Sequence, residues 1–109
     1  MTKLITGGTG FVGRELARLL VERGESVVLF DISPDYESLG NMKEKVTVVR
    51  GDLANWSDVF NAVQEHKVKS IFHLGSILSL PSDQNPWLAY RVNVNGMFHV
   101  LEAARLFNS

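Results

Sequence analysis

The first residues of this chain whose type and spacing can do chemistry are three glycines, Gly7-x-x-Gly10-x-x-Gly13. They stand between a short apolar run, Lys3-Leu4-Ile5-Thr6, and a segment whose apolar residues return at helical intervals from Val12 through Leu16, Leu19 and Leu20. A strand that turns on glycine into a helix directs the unpaired N–H groups around Phe11, Val12 and Gly13, and the positive end of the helix dipole, at one point in space. That arrangement suits a phosphate. In this reading Gly7 permits the tight turn, Gly10 lets a diphosphate approach the backbone, and Gly13 lets the helix lie close to the sheet. A nucleoside triphosphate loop is disfavoured, because no Lys-Ser or Lys-Thr pair follows the last glycine. A glycine turn that serves packing alone is the alternative.

Asp31 follows the loop at roughly the 20-residue distance at which an acid meets the adenosine ribose of a dinucleotide. Its carboxylate can accept from both ribose hydroxyls and would repel a 2′-phosphate. The neighbouring Ile32 and Ser33 offer no cation to such a phosphate. NAD is therefore expected over NADP, while an Asp that merely caps the loop before Pro34 is the competing role, and the two can coexist. The chain has no cysteine, which removes disulfides and thiolate chemistry. His66, His73 and His99 lack the spacing of metal ligands on one helix, so no metal site is expected.

These residues need a scaffold, and the chain supplies alternating signals for one. Gly24 ends the first helix, with Arg23 in its last turn facing the negative end of the dipole. Val27-Val28-Leu29-Phe30 is an unbroken apolar run of the kind covered on both faces in a parallel sheet, and it ends at Asp31. A polar loop from Ser33 to Lys45, with one helical turn around Tyr36 to Leu39, leads to a third strand, Val46-Thr47-Val48-Val49, closed by Gly51-Asp52. Asn55 then caps a helix whose inward stripe is Val59, Phe60 and Val63. Ser70 to Leu74 makes a fourth strand. After a polar loop through Pro81, Ser82, Asp83 and Asn85, one long helix opens at Pro86 and carries Leu88, Val92, Val100 and Ala104 inward until Phe107. Strands alternating with helices predict an α/β fold with a doubly wound parallel sheet of order 3-2-1-4.

Length and composition agree with one domain over residues 1–109, since 109 residues at 45% hydrophobic content can bury one core. Eleven basic residues against 12 acidic ones leave no field to attract nucleic acid or an anionic membrane. No apolar run approaches the roughly 20 residues of a membrane span, and no basic region followed by a long apolar stretch opens the chain. A cytoplasmic protein is expected.

Thr6-Gly7-Gly8-Thr9-Gly10-Phe11-Val12-Gly13 resembles the opening of the extended short-chain dehydrogenases, the NAD-dependent epimerase/dehydratase group, and further motifs follow in order. Gly51-Asp52-Leu53 resembles the family's adenine contact, which implies that the Asp52 carboxylate takes the adenine amino group and the Leu53 amide a ring nitrogen. His73-Leu74-Gly75-Ser76 is similar to the family's His-Leu-Ala-Ala along the cofactor. Asn93-Val94-Asn95-Gly96 and Leu101-Glu102-Ala103-Ala104-Arg105 resemble the signatures of the following helix, where the matching Asn supports the active site. Each also has a structural reading: Asp52 as a helix cap, His73 as a satisfied strand-end residue, Asn93 as a side chain bonded to a neighbouring carbonyl. Gly75 stands where the family usually has Ala, and Met97 where it has Thr. The stretch Ser76-Ile77-Leu78-Ser79, with Asn85-Pro86 and Asn93, is also similar to short-chain threonine dehydrogenases and some sugar-nucleotide epimerases.

The resemblance implies a Rossmann-like cofactor domain and a catalytic Tyr with a Lys four residues on, the ammonium lowering the phenol pKa so that proton and hydride transfer can couple. Here Tyr36 is followed at that distance by Gly40, and Tyr90 by Val94. The chain is thus expected to be the NAD-holding N-terminal portion of an oxidoreductase, epimerase or dehydratase, truncated after the fourth strand and its helix and not catalytic alone. A stand-alone redox-sensing module and a structural remnant are the alternatives. With later strands absent, the fourth strand becomes an open edge, and a homodimer or higher oligomer is expected to cover it and the last helix.

Overall fold

Alternation along one strand sets the architecture. The computed structural model describes residues 1–75 and 86–108. The segment from Ser76 to Asn85, with the loop residues assigned to it above, lies outside them, as does the side chain of Leu88. In β2 (Ser26–Asp31), Val28 and Phe30 point to one side of the sheet and Val27 and Leu29 to the other, all almost fully buried. β1 (Thr2–Thr6) lies parallel beside it, Leu4 opposite Val28, and divides its side chains in the same way. β3 (Thr47–Arg50) pairs with the outer side of β2, and β4 (Ser70–His73) with the free side of β1, completing a parallel sheet of order β3-β2-β1-β4. The predicted order is the observed one.

Two apolar layers seal the faces. α1 (Phe11–Glu22) and the short α2 (Tyr36–Leu39) cover Ile5, Val27 and Leu29 through Ala17, Leu20 and Leu39. α3 (Trp56–Glu65) and α5 (Gly96–Asn108) cover Leu4, Val28 and Phe30 through Val59, Ala62, Val63, Val100 and Ala103. Each large side chain fully buried here, such as Ile5, Leu29 or Phe30, contributes about 1.5–3 kcal/mol. Aromatic contacts tie α3 to α5: Phe60 lies 5.0 Å from Phe107, and Trp56 lies 5.8 Å from His99, centroid to centroid.

Several details depart from the sequence expectation. The buried stripe of α1 is Gly13, Ala17 and Leu20, while Leu19 is exposed and Leu16 only partly packed, because the small residues bring the helix down and set its rotation. Arg23 is the residue after the helix, not part of its last turn. The polar segment beyond α2 continues as a 3-10 turn, Gly40–Glu44. Val46 precedes β3 and packs beneath the sheet, and Leu74 lies just past β4. In α3, Ala62 is buried deeper than Phe60.

The last helix is not one continuous α-helix. α4 (Pro86–Tyr90) passes through a π-helical turn, Arg91–Asn95, before α5 resumes. The buried positions are Ala89, Gly96, Val100 and Ala103, and Ala104, expected inward, is only half-buried.

Both α1 and α3 end in the same hydrogen-bonded motif. After α1, Glu25 N–H donates to the Leu20 carbonyl (3.0 Å) and Gly24 N–H to that of Val21 (3.0 Å), with Gly24 at φ +81°. After α3, Val68 N–H donates to Val63 (3.1 Å) and Lys67 N–H to Gln64 (3.2 Å), but here the left-handed position, φ +51°, is held by Lys67. A side chain in that conformation costs about 1 kcal/mol that glycine would not. Urea melts of Lys67→Gly should therefore show a stability gain of about 0.5–1 kcal/mol, with no change in slope. A loss would mean that the Lys67 side chain holds something its backbone strain conceals.

Candidate functional site

The four strands point their C-terminal ends the same way, and the loops leaving them converge on one edge of the sheet. The chain leaves β1 toward β2 and returns later to β4 on the other side, so the strand order reverses at β1, the position at which open α/β sheets bind ligands. The loops are laced together by backbone. Gly7 N–H donates to the Phe30 carbonyl at 2.8 Å, Gly51 N–H to that of Asp31 at 3.0 Å, and Leu74 N–H to that of Thr6 at 3.2 Å.

The glycines are required for different reasons. Gly7 has φ +66°, and a Cβ there would come within 3.1 Å of the Gly75 backbone, so it serves both turn and close approach. Gly10 has an ordinary φ of −71° and is exposed. It is needed for space, not conformation. A Cβ on Gly13 would lie 2.6 Å from the Gly7 carbonyl and 2.7 Å from that of Gly8. Gly13 thus lets the helix rest on the glycine turn itself, a correction to the expected contact with the sheet. Gly8, which the spacing did not single out, is equally constrained, since its Cβ would fall 2.9 Å from the Leu29 Cα.

Above this turn, α1 begins without help. Its N-cap, Gly10, offers no side chain to the first amides, and the first turn holds no acid. By contrast Asn55 accepts from the amides of Ser57 and Asp58 at the start of α3, and Asp35 from that of Ser38 at the start of α2. The N–H groups of Phe11, Val12 and Gly13 precede the first helical bond, from Arg14 to Gly10, and have no backbone acceptor among the described residues; the side chains of Phe11 and Val12 beside them are exposed.

Asp31 stands at the end of β2 beside the same loop. Its Oδ2 accepts from the backbone N–H (3.1 Å) and hydroxyl (2.7 Å) of Thr9, and its Oδ1 from Ser33 N–H (3.2 Å). Ile32 next to it is exposed. The sequence reading missed Thr9, whose only signal was a hydroxyl residue between two glycines. It also missed Arg14, whose guanidinium donates to the Thr9 carbonyl at 3.2 Å. The Asp35 pKa is lowered mainly by its bonds with Ser38 and further by the charge of Arg14.

The loop after β3 holds Asp52 and Leu53. Asp52 Oδ1 accepts from Ala54 N–H at 2.9 Å, and its own N–H donates to Asp58 Oδ2 at 2.9 Å. Asp52 therefore shapes its own turn, while the cap of α3 is Asn55. Leu53 is buried against Gly75 and Gly96, and its carbonyl accepts from His99 Nδ1 at 2.7 Å, which fixes the proton on that nitrogen. A Cβ at position 75 would fall 2.6 Å from the Leu53 Cδ1, a side-chain end that can shift, and 3.3 Å from the Gly7 amide nitrogen.

At the end of β4, the buried Thr6 hydroxyl accepts from Gly75 N–H at 3.0 Å and lies 2.7 Å from His73 Nδ1. The hydroxyl keeps a second lone pair as well as its own proton, so the direction of the Thr6–His73 bond follows the tautomer of the ring. Leu74 is exposed beside it, and Ser76 lies outside the described residues. Asn93 sits half-buried in the π-helical turn. The three histidines are dispersed: His66 caps the far end of α3, near a depression lined by Thr2, Ser26, Lys45 and Thr47 at the opposite edge of the sheet.

The residues 3–109 match the model of the NAD dependent epimerase/dehydratase family. The chain belongs to that family. It is 35% identical to CDP-paratose 2-epimerase of Salmonella typhi across 100% of its own length and 34% of that protein's. It is also 35% identical to mouse sterol-4-alpha-carboxylate 3-dehydrogenase (decarboxylating, Mus musculus), covering 93% of this chain and 25% of the relative. Among solved structures, UDP-glucose 4-epimerase of Thermus thermophilus in complex with NAD superposes with a TM-score of 0.87 at 30% identity, over 98% of this chain and 34% of that one. L-threonine dehydrogenase of Clostridium difficile gives 0.85 at 26% identity, over 97% and 33%. The chain thus spans about a third or less of the length of these relatives.

Burial holds the His73 pKa below its ordinary value of 6.5. Between the lowered folded value and the ordinary unfolded one, the unfolded chain binds the extra proton. Stability is therefore full above that window and declines as pH falls through it. An NMR titration should give His73 a midpoint below 6.5, and the acid-side loss of stability should shrink in His73→Gln. A midpoint above the ordinary value would contradict a ring whose charged form is disfavoured by burial.

Proposed function

We propose that this chain is the NAD-binding N-terminal portion of an NAD-dependent oxidoreductase, epimerase or dehydratase. The observation that carries the proposal is the uncapped start of α1 above Gly7 and Gly10, with Asp31 fixed at the end of the next strand. The donors and the acid suit the two halves of a dinucleotide: amides and dipole for the diphosphate, a carboxylate for a ribose hydroxyl. The complex of the Thermus thermophilus relative with NAD supports the same choice.

When bound, NAD supplies a nicotinamide ring that takes up or returns a hydride. The chain's own residues bind and orient. Phe11, Val12 and Gly13 amides hold the diphosphate over Gly7 and Gly10; Asp31, with Ile32 alongside, receives the adenosine ribose and disfavours a 2′-phosphate. Asp52 and the Leu53 amide meet the adenine, and His73, Leu74 and Gly75 line the path toward the nicotinamide, with Asn93 in support. The Tyr and Lys that would move protons are assigned to a longer protein, since no Tyr here is followed by Lys at the required spacing.

Calorimetry on the purified chain should show binding of NAD in preference to NADP, and Asp31→Ala should weaken NAD binding by about tenfold, the worth of a hydrogen bond to a charged acceptor. Equal affinity for the two cofactors would remove Asp31 from the role given to it.

The outward side of α4 and α5 carries Trp87, Tyr90, Val94, Met97 and Leu101, all exposed and spaced three and four apart, so that they form one stripe. An apolar stripe of that length fits a second copy of the chain. Sedimentation velocity should show association that rises with concentration and is abolished by Leu101→Lys. A monomer at every concentration would count against it.

A further inference from the structure

We propose that Thr9 is the positioning residue that sets the adenosine-ribose preference of this site, acting through Asp31; the proposal rests on the NAD reading above. Among the described residues, the buried polar side chains are Thr6 and Thr9, both in the turn that follows β1 or leads into it. Thr9 is 3% exposed and makes a bond with every polar group it has. Its N–H and its hydroxyl both donate to Asp31 Oδ2, its hydroxyl oxygen accepts from Asp35 N–H at 3.1 Å, and its carbonyl accepts from Arg14 Nη1.

The inventory of lone pairs gives these bonds a consequence. An ionised carboxylate only accepts, so the hydroxyl proton must go to Oδ2, and the Asp35 amide takes a lone pair on the hydroxyl oxygen. Both acceptor sites on Oδ2 are then filled from Thr9. Oδ1 accepts from Ser33 N–H and, among the described residues, keeps one site open. Asp31 is thereby held in one orientation with a single directed acceptor, which matches one ribose hydroxyl better than two. A carboxylate free to turn about its Cα–Cβ bond would lose that direction and part of the gain from meeting a hydroxyl already in place. The same hydroxyl fastens the N-cap of α2, through Asp35, to the phosphate turn, so the acid and the diphosphate donors are held in one frame.

Calorimetry with NAD and with its adenosine 2′-deoxy analogue tests this on the whole chain. Wild type should prefer NAD by about tenfold, the size expected of one hydrogen bond to a charged acceptor. In Thr9→Val, which keeps the shape and removes the hydroxyl, that preference should fall to about twofold or less, with the deoxy analogue bound nearly as before. Thr9→Ser should restore it. Equal weakening of both ligands in Thr9→Val would assign Thr9 to the fold of the loop alone and overturn the proposal, as would an unchanged ratio. Should Thr9→Val not fold, a crystal structure of the wild-type complex decides: the Thr9 hydroxyl must stay within hydrogen-bond distance of Asp31 Oδ2, and its rotation away overturns the idea. Wild type that ignores NAD, or NAD binding indifferent to Asp31→Ala, overturns the NAD reading and this proposal together. NAD binding that needs Asp31 but not Thr9 overturns this proposal only.

Discussion

The structure depends on how closely backbone can approach backbone at the end of β1. Gly7, Gly8 and Gly13 each stand where a single added carbon would meet main-chain atoms of a neighbouring element, within 3.1, 2.9 and 2.6 Å respectively. That contact sets where α1 begins, and so where its unshared amides point. It also brings the Gly7 amide onto the Phe30 carbonyl, which registers the turn against β2 and places Asp31 one residue further along. The first amides of α1 and the Asp31 carboxylate both take their places from one close-packed junction.

The neighbouring strands repeat the logic with side chains in place of glycine. Thr6 organises the exit of β4 by bonding His73 and Gly75, as Thr9 organises the exit of β2. Leu53 anchors the exit of β3, its side chain against Gly75 and Gly96 and its carbonyl under His99. Each loop at this end of the sheet is thus held by a buried group from an adjacent segment. A site built in this way resists distortion, because displacing one loop breaks a bond made by another.

Much of this was legible in the amino-acid order. Strand alternation at Val27 to Phe30, the cap at Asn55 and the glycine spacing each have a local cause, and each appears where expected. What could not be read depends on distance in the chain. Thr9 is an ordinary residue until Asp31 arrives beside it, and Gly8 looks like spacing until Leu29 passes beneath. The rotation of α1 followed the smallest residues on it, not the largest, because Gly13 and Ala17 permit the approach that then buries Leu20. The Tyr-Lys pair of the family's chemistry has no counterpart at the required spacing in this sequence, and the relatives are about three or more times as long as the stretch they share with it.

The π-helical turn at Arg91–Asn95 adds one residue to a helix that must present one side to the sheet and the other outward. Each residue of an α-helix turns it by about 100°, so one residue too many would carry Val100 and Ala103 off the core. The wider turn takes up that residue locally and leaves both flanking segments with the same side toward the sheet. The irregularity is thereby confined to a single turn, and the helix on either side of it keeps the ordinary spacing of buried positions.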